Sequence, residues 1–242
     1  MTPPSRQPAT FAELLSDLLR RDPGRPLITF YDDATGERVE LSVTTYANWV
    51  AKTASLLAEE FDVERGSRVL IDLPIHWLVP VFLGAAWTIG AEVTNEQDVD
   101  LVVASPIPSR LESYAAGSAP VLASALLPLG VRFREALPPG VRDFGVEVWG
   151  QPDAFTPWEV PEAEDRLFHG STWGELPLAG SWTGERLLTT VNPLRDPAVL
   201  LQPLAGGGSV VLWRNADQDP DRLDRLRDSE RVTATHLVAR EA

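Results

Sequence analysis

The sequence predicts an α/β fold, and three stretches carry that prediction. In residues 44–61 the apolar or small side chains fall at Tyr46, Trp49, Val50, Thr53, Ala54, Leu57 and Phe61. Those steps of three and four place one stripe on one helical face. A charged turn ending in Gly66 and Ser67 then leads into residues 68–73, a short β-rich strand closed by Pro74. Residues 75–89 are apolar almost all round, as in a helix buried on several sides, and residues 91–94 read as the next strand. A strand–helix–strand crossover of this length joins parallel strands.

The remaining elements follow in order. Residues 1–9 read as a loose, Pro-rich tail. Thr10 and Glu13 stand at capping-box spacing and open a short amphipathic helix, with Phe11, Leu14, Leu15, Leu18 and Leu19 turned inward. Residues 27–31 and 38–42 form two strands around a turn-rich loop. Thr44 or Thr45 is the expected cap of the long helix, because a hydroxyl accepts from a first-turn N–H. Residues 101–104 make a buried strand with no helix before it, and residues 119–124 and 145–149 are further strand candidates. Residues 151–165, rich in proline and acid, read as a surface connection. Thr172 and Glu175 repeat the capping-box spacing ahead of a short helix limited by Pro177 and Gly180. Residues 186–191, 209–213 and 233–238 read as strands, with helices over 197–204 and 220–228 between them.

At 242 residues the chain is long enough to bury a core, as one large α/β unit or two small lobes. It has no cysteine, which removes disulfides, thiolate metal sites and a cysteine nucleophile. A net charge of −14 argues against nucleic acid and anionic membrane, both of which need a basic footprint. Lys52 is the only lysine. Residues 1–10 show no signal-peptide pattern, and the longest apolar run, 75–89, is shorter than a membrane span and carries His76 and Pro80. A soluble, cytoplasmic protein is the expectation.

Two stretches resemble the N-terminal part of the adenylate-forming enzymes, which comprise acyl-CoA synthetases, luciferases and peptide-synthetase adenylation domains. The first is carried by Leu41, Thr45-Tyr46, Leu57-Ala58, Gly66-Ser67-Arg68-Val69, Leu73-Pro74 and Gly90-Ala91. The second runs from Glu185-Arg186-Leu187-Leu188 through Pro203-Leu204-Ala205-Gly206-Gly207 and Val210-Val211-Leu212 to Arg231-Val232-Thr233. Together they cover about half of the chain. The resemblance implies two packed α/β lobes with mainly parallel sheets flanked by helices, like a truncated N-terminal domain of such an enzyme. It places residues 66–165 in a first lobe and residues 10–61 plus 171–242 in a second, discontinuous one. It also implies that Tyr46, Trp49, Val50 and Leu57 touch the 186–238 segment.

Adenylate-forming enzymes activate a carboxylate with ATP, and their signature is a Ser/Thr/Gly-rich loop ending in Gly-x-Pro-Lys-Gly whose donors hold the triphosphate. Where that loop is expected, this chain carries Glu159, Glu162, Glu164 and Asp165 among prolines, with Arg166 the one nearby cation. Carboxylates there repel a triphosphate, and Lys52 sits mid-helix in the first matching stretch. The family's adenine contacts and second catalytic lysine lie beyond the matched region. The expectation is a shortened, catalytically inactive relative that binds no ATP and acts as a binding or interaction protein. The alternative is one half of a split synthetase whose partner chain supplies the ATP site.

No catalytic residue, cofactor ligand or metal ligand is assigned. The glycine run Gly206-Gly207-Gly208 precedes a strand instead of opening a helix, so it reads as a turn and not a phosphate cradle. Ser171, beside His169, lacks the Gly-x-Ser-x-Gly spacing of a nucleophile elbow. His76, His169 and His236 lie far apart without a carboxylate at ligand spacing. Trp149, Trp158, Trp173 and Trp182 crowd into the Pro-rich connecting region. They read either as a cover for the junction between lobes or as exposed anchors for a protein partner or a homodimer.

Overall fold

A computed structural model describes residues 7–217 and 219–238; most of the predicted tail lies outside them. The elements in order are α1 (Phe11–Arg21), β1 (Pro26–Asp32), β2 (Glu37–Ser42), α2 (Val43–Phe61), β3 (Arg68–Asp72), α3 (Leu78–Ile89), β4 (Glu92–Thr94) and β5 (Leu101–Ala104). There follow α4 (Pro108–Ala115), β6 (Val121–Ala123), β7 (Val141–Asp143), α5 (Phe144–Glu147), β8 (Arg166–Phe168) and β9 (Ser171–Thr172). The last elements are β10 (Arg186–Thr189), α6 (Ala198–Ala205), β11 (Ser209–Arg214), α7 (Pro220–Glu230) and β12 (Ala234–His236).

The strands form two sheets, one ordered β12-β10-β11-β1-β2 and one ordered β7-β6-β5-β3-β4-β8-β9. Both are parallel except for the hairpin strands β2 and β9. This is the mainly parallel α/β architecture expected. The first sheet joins β1 and β2 to strands 144 residues and more downstream, and the second sheet runs on through the hairpin at His169-Gly170 to Thr172. Both turn residues of that hairpin have positive φ, 47° and 84°, as a tight two-residue turn requires.

Helix α3 is the centre of the core. All of its residues except Thr88 are buried, and Phe82 and Trp87 are fully so. Pro80 falls in its first turn, where no intrahelical N–H is needed. Helix α2 packs on α3 and on β1 and β2, while α3 also meets α1, β3 and β4. The two helices therefore lie between the sheets. Their close crossing needs Gly84, where an added Cβ would stand 2.6 Å from the Tyr46 hydroxyl and 2.9 Å from Val50. That hydroxyl donates to the Pro80 carbonyl at 2.8 Å. Trp49 lies against Trp77, with centroids 5.1 Å apart, and beside Phe144 and Trp149. The stripe of α2 thus takes α3 and its surroundings as its main partners, and Tyr46, Val50 and Leu57 share one buried cluster with Val210 and Leu212 of β11.

Other local readings shift as well. Ser42, not Thr44 or Thr45, caps α2, accepting from the Thr45 N–H at 3.1 Å; Val43 already turns into the core. Residues 145–149 are not a strand. Asp143 accepts from the Gly145 N–H at 2.8 Å and starts α5, leaving only residues 141–143 as strand β7. The capping box at Thr172 and Glu175 is present and opens a single 3-10 turn. Gly206 and Gly208 make the bend from α6 into β11; a Cβ on either would come within 2.1 Å of the backbone at Gly184 or Glu185. Among the described residues no helix is long and apolar enough to cross a membrane.

Candidate functional site

Open parallel sheets leave a crevice beyond the carboxyl ends of their strands, where chain connections diverge. Here both sheets contribute to one. Residues after β3 (Pro74, Ile75), after β10 (Thr190, Val191, Asn192) and at the ends of β11 and β12 enclose a crevice of about 650 Å³. Asn192 fixes its geometry: its side-chain amide donates to the Leu73 carbonyl at 3.0 Å, tying the end of β10 in one sheet to the end of β3 in the other. Its amide oxygen accepts from the Leu194 N–H at 3.1 Å and holds the turn toward α6.

The walls mix apolar and polar groups. Pro74, Ile75, Val191, Trp213 and Val238 supply the former, and Thr190, Arg195, Asp196, Arg214, Asn215 and His236 the latter. Parallel strand register sets Asp32 of β1 beside Arg214 of β11. The buried Asp32 carboxylate accepts from the Asn215 side chain at 2.7 Å and lies 3.8 Å from the Arg214 guanidinium. Next to it, Asp33 accepts from the Trp213 indole at 2.8 Å and from Arg222 at 2.7 Å. Burial alone would raise the Asp33 pKa; the hydrogen bonds from Arg222, the Asp217 N–H and Trp213 outweigh it and hold the pKa below the usual carboxylate range. The His236 ring lies over Trp182, centroids 4.7 Å apart.

His76 follows the crevice residue Ile75 but is fully buried, with its ring 4.8 Å from that of Phe30. Its Nδ1 accepts from the Leu78 N–H at 3.3 Å, so Nε2 carries the hydrogen, and Nε2 has no partner. Burial pushes its pKa down to about 3, with Arg214 acting in the same direction and Asp32 against it. His76 is therefore neutral and unavailable as a proton carrier near neutral pH.

The acidic run expected in place of the triphosphate loop lies elsewhere. Glu159, Glu164, Asp165 and Arg166 line a second depression, beside Arg68 and Glu92 at the amino ends of β3 and β4. Asp165 takes both prongs of Arg65, at 2.8 and 2.7 Å. Lys52 reaches the Gln151 carbonyl and lies 3.1 Å from Asp153, pinning the start of this connection onto α2. It is not a crevice residue. No group of three metal-ligating side chains occurs among the described residues.

The four tryptophans do not form one surface. Trp173 is buried against Phe11 and Trp87, its indole donating to the Pro8 carbonyl at 2.8 Å. It is a core residue under α1, which corrects its reading as an exposed anchor. Trp182 is half-buried against His236, at the crevice side. Trp149 is partly exposed against Trp49, and Trp158 is nearly free of the protein. The crevice residues Asn192, Arg214 and Asn215 were not singled out in the sequence. The only cue was their position just after predicted strands.

No family model matches the chain. A protein of Mycobacterium tuberculosis (strain ATCC 25618 / H37Rv), a "TIGR03089 family protein", is 35% identical over 234 residues, covering 91% of this chain and 95% of that protein. The chain belongs to the TIGR03089 family. Among solved structures, the acyl-CoA synthetase of Brucella canis matches with a TM-score of 0.74 at 16% identity. That match covers 94% of this chain and 47% of the synthetase, so the chain spans about half of the synthetase's length. At this identity the likeness is one of fold: this TIGR03089 family member has the architecture of about half of that acyl-CoA synthetase.

Proposed function

We propose that this protein is a non-catalytic relative of the acyl-CoA synthetases that holds a small, partly apolar molecule in the crevice between its sheets. The observation that carries the reading is the crevice itself. It lies beyond the carboxyl ends of strands from both sheets, has a volume of about 650 Å³, and sets a few polar groups among apolar walls. Asn192 holds the two sheets together at this point before any ligand arrives, which lowers the ordering cost of binding.

Lack of catalysis is supported by chemistry. The sole lysine, Lys52, is held at the 151–165 connection and does not line the crevice, so no lysine is placed there to hold a triphosphate. The buried, neutral His76 offers no proton transfer. Thermal unfolding against a panel of small carboxylic acids and acyl thioesters tests the reading. At least one compound should raise the midpoint by mass action, and Ala216→Trp, which fills the crevice, should abolish that rise. A panel with no stabilising compound, or a rise that survives the substitution, would contradict it.

A further inference from the structure

Trp158 is 88% exposed and Val160 72%, the two highest values among the exposed large apolar side chains of the described residues. They alternate with Glu159 in the 151–165 connection, between Pro157 and Pro161. This strip is anchored at both ends. Phe155 packs onto the core on one side. On the other, Pro161 lies against Gly90, where an added Cβ would come within 3.3 Å of its ring, and Asp165 is forked by Arg65. Beside Trp158 opens an apolar groove of about 180 Å³, walled by Ala58, Val63, Ile89, Phe155 and Pro157. Its rim carries more carboxylate than cation. Arg65 also lines the groove but is already paired with Glu162 and Asp165. Glu64 and Glu159 stand at the groove, Glu164 follows on the strip, and neither Glu159 nor Glu164 has an ion pair among the described residues.

We propose that Trp158 and Val160, with this groove, form a docking surface for a protein segment that presents one aliphatic or aromatic side chain flanked by lysine or arginine. The groove has room for a single apolar side chain, and the carboxylates around it set the sign of the flanking charges. Those same carboxylates turn away nucleic acid and anionic lipid. They also disfavour a second copy of this chain: a twofold interface would set Glu159 and Glu164 of one protomer near the same patch of its partner. An exposed tryptophan held on a strip anchored at both ends has little freedom left to lose on binding, which suits it to be the energetic centre of an interface. This surface is separate from the crevice and does not depend on crevice binding.

The probe is a fluorescein-labelled peptide, Lys-Arg-Leu-Phe-Arg-Lys, followed by anisotropy at physiological salt with the intact protein. Replacing its Leu-Phe pair with Ser-Ser should weaken binding about tenfold or more, as should Trp158→Ala and the double change Glu159→Lys, Glu164→Lys. Glu112→Lys, a charge reversal on exposed α4, should change binding by less than about twofold, as expected for a distant rim charge. Circular dichroism melts check that each variant remains folded. Equal binding by Trp158→Ala and the parent would overturn the proposal. So would a Glu112→Lys loss as large as that of the double change, which would mean general charge attraction alone. A dimer in sedimentation that Trp158→Ala dissolves would assign the surface to a second copy and overturn the proposed partner.

Discussion

Glu230→Gln perturbs a buried carboxylate that accepts four side-chain hydrogen bonds, without creating a cavity. Glu230 ends α7, is 6% exposed, and accepts from the Tyr31 hydroxyl, from Arg38 at 2.9 and 3.1 Å, and from Arg186. It thereby joins α7 to β1, β2 and β10. Arg186 is 15% exposed and also donates to the Glu230 carbonyl at 2.5 Å, so its pairing is largely shielded from water. Breaking a buried pair by removing one charge costs about 3–5 kcal/mol. Water reaches Arg186 in part, and Arg38 is 44% exposed and contributes at the level of a surface pair. The expected loss for Glu230→Gln is therefore about 2–4 kcal/mol, and that for Arg38→Ala below about 1 kcal/mol. Urea unfolding at pH 7, followed by tryptophan fluorescence and far-UV circular dichroism, measures both.

The same residue has a pH signature. Burial would raise the Glu230 pKa, but the hydrogen bonds from Tyr31, Arg38 and Arg186 outweigh it and hold the folded value below the ordinary 4.5. A depressed carboxylate contributes fully above its unfolded pKa, and the contribution is lost as pH falls through the folded value. The parent should therefore lose stability below about pH 4.5 more steeply than Glu230→Gln. A cost under about 1 kcal/mol, an Arg38→Ala loss equal to that of Glu230→Gln, or parallel acid limbs would refute the reasoning.

Phe82→Ala, at a fully buried site 4.8 Å from the Phe144 ring, should cost about 3–5 kcal/mol in the same urea assay. A loss below about 1 kcal/mol would mean that α3 is not the centre of the core. His76 is held neutral, with its pKa pushed from 6.5 down to about 3, so the unfolded chain binds its proton first and stability falls as pH drops from about 6.5 toward 3. His76→Leu should flatten that slope by up to about 1.4 kcal/mol per pH unit, and equal slopes would contradict burial of the neutral ring.

The periodicity of residues 44–61 and the apolar run at 75–89 located α2 and α3, because a helix buried on one or several faces must show it locally. Strands β3, β5, β10 and β11 were legible for the same reason. The segment from Phe144 to Trp149 was not. Its apolar run has no decisive period, and the Gly145 N–H donates to the Asp143 carboxylate, which caps the short helix formed there. Trp173 illustrates a second limit. Its local setting, a polar Pro- and Gly-rich stretch, resembles a surface loop, and only α1 folding over it makes it core. The crevice was the least legible feature. Its residues come from segments more than a hundred positions apart, and the Asn192 bond to Leu73 that joins them is purely tertiary.

The central claim is that this synthetase-like fold binds in its crevice without activating what it binds. Pyrophosphate exchange with Mg-ATP, over the same panel of carboxylic acids, tests it most directly. The account predicts exchange at the level of the protein-free control for every acid, including any that stabilises the fold. Exchange above that level with the purified chain would contradict the claim and show that it forms acyl-adenylates despite its acidic connection. Exchange that arises only on adding a second chain would instead support the split-synthetase alternative.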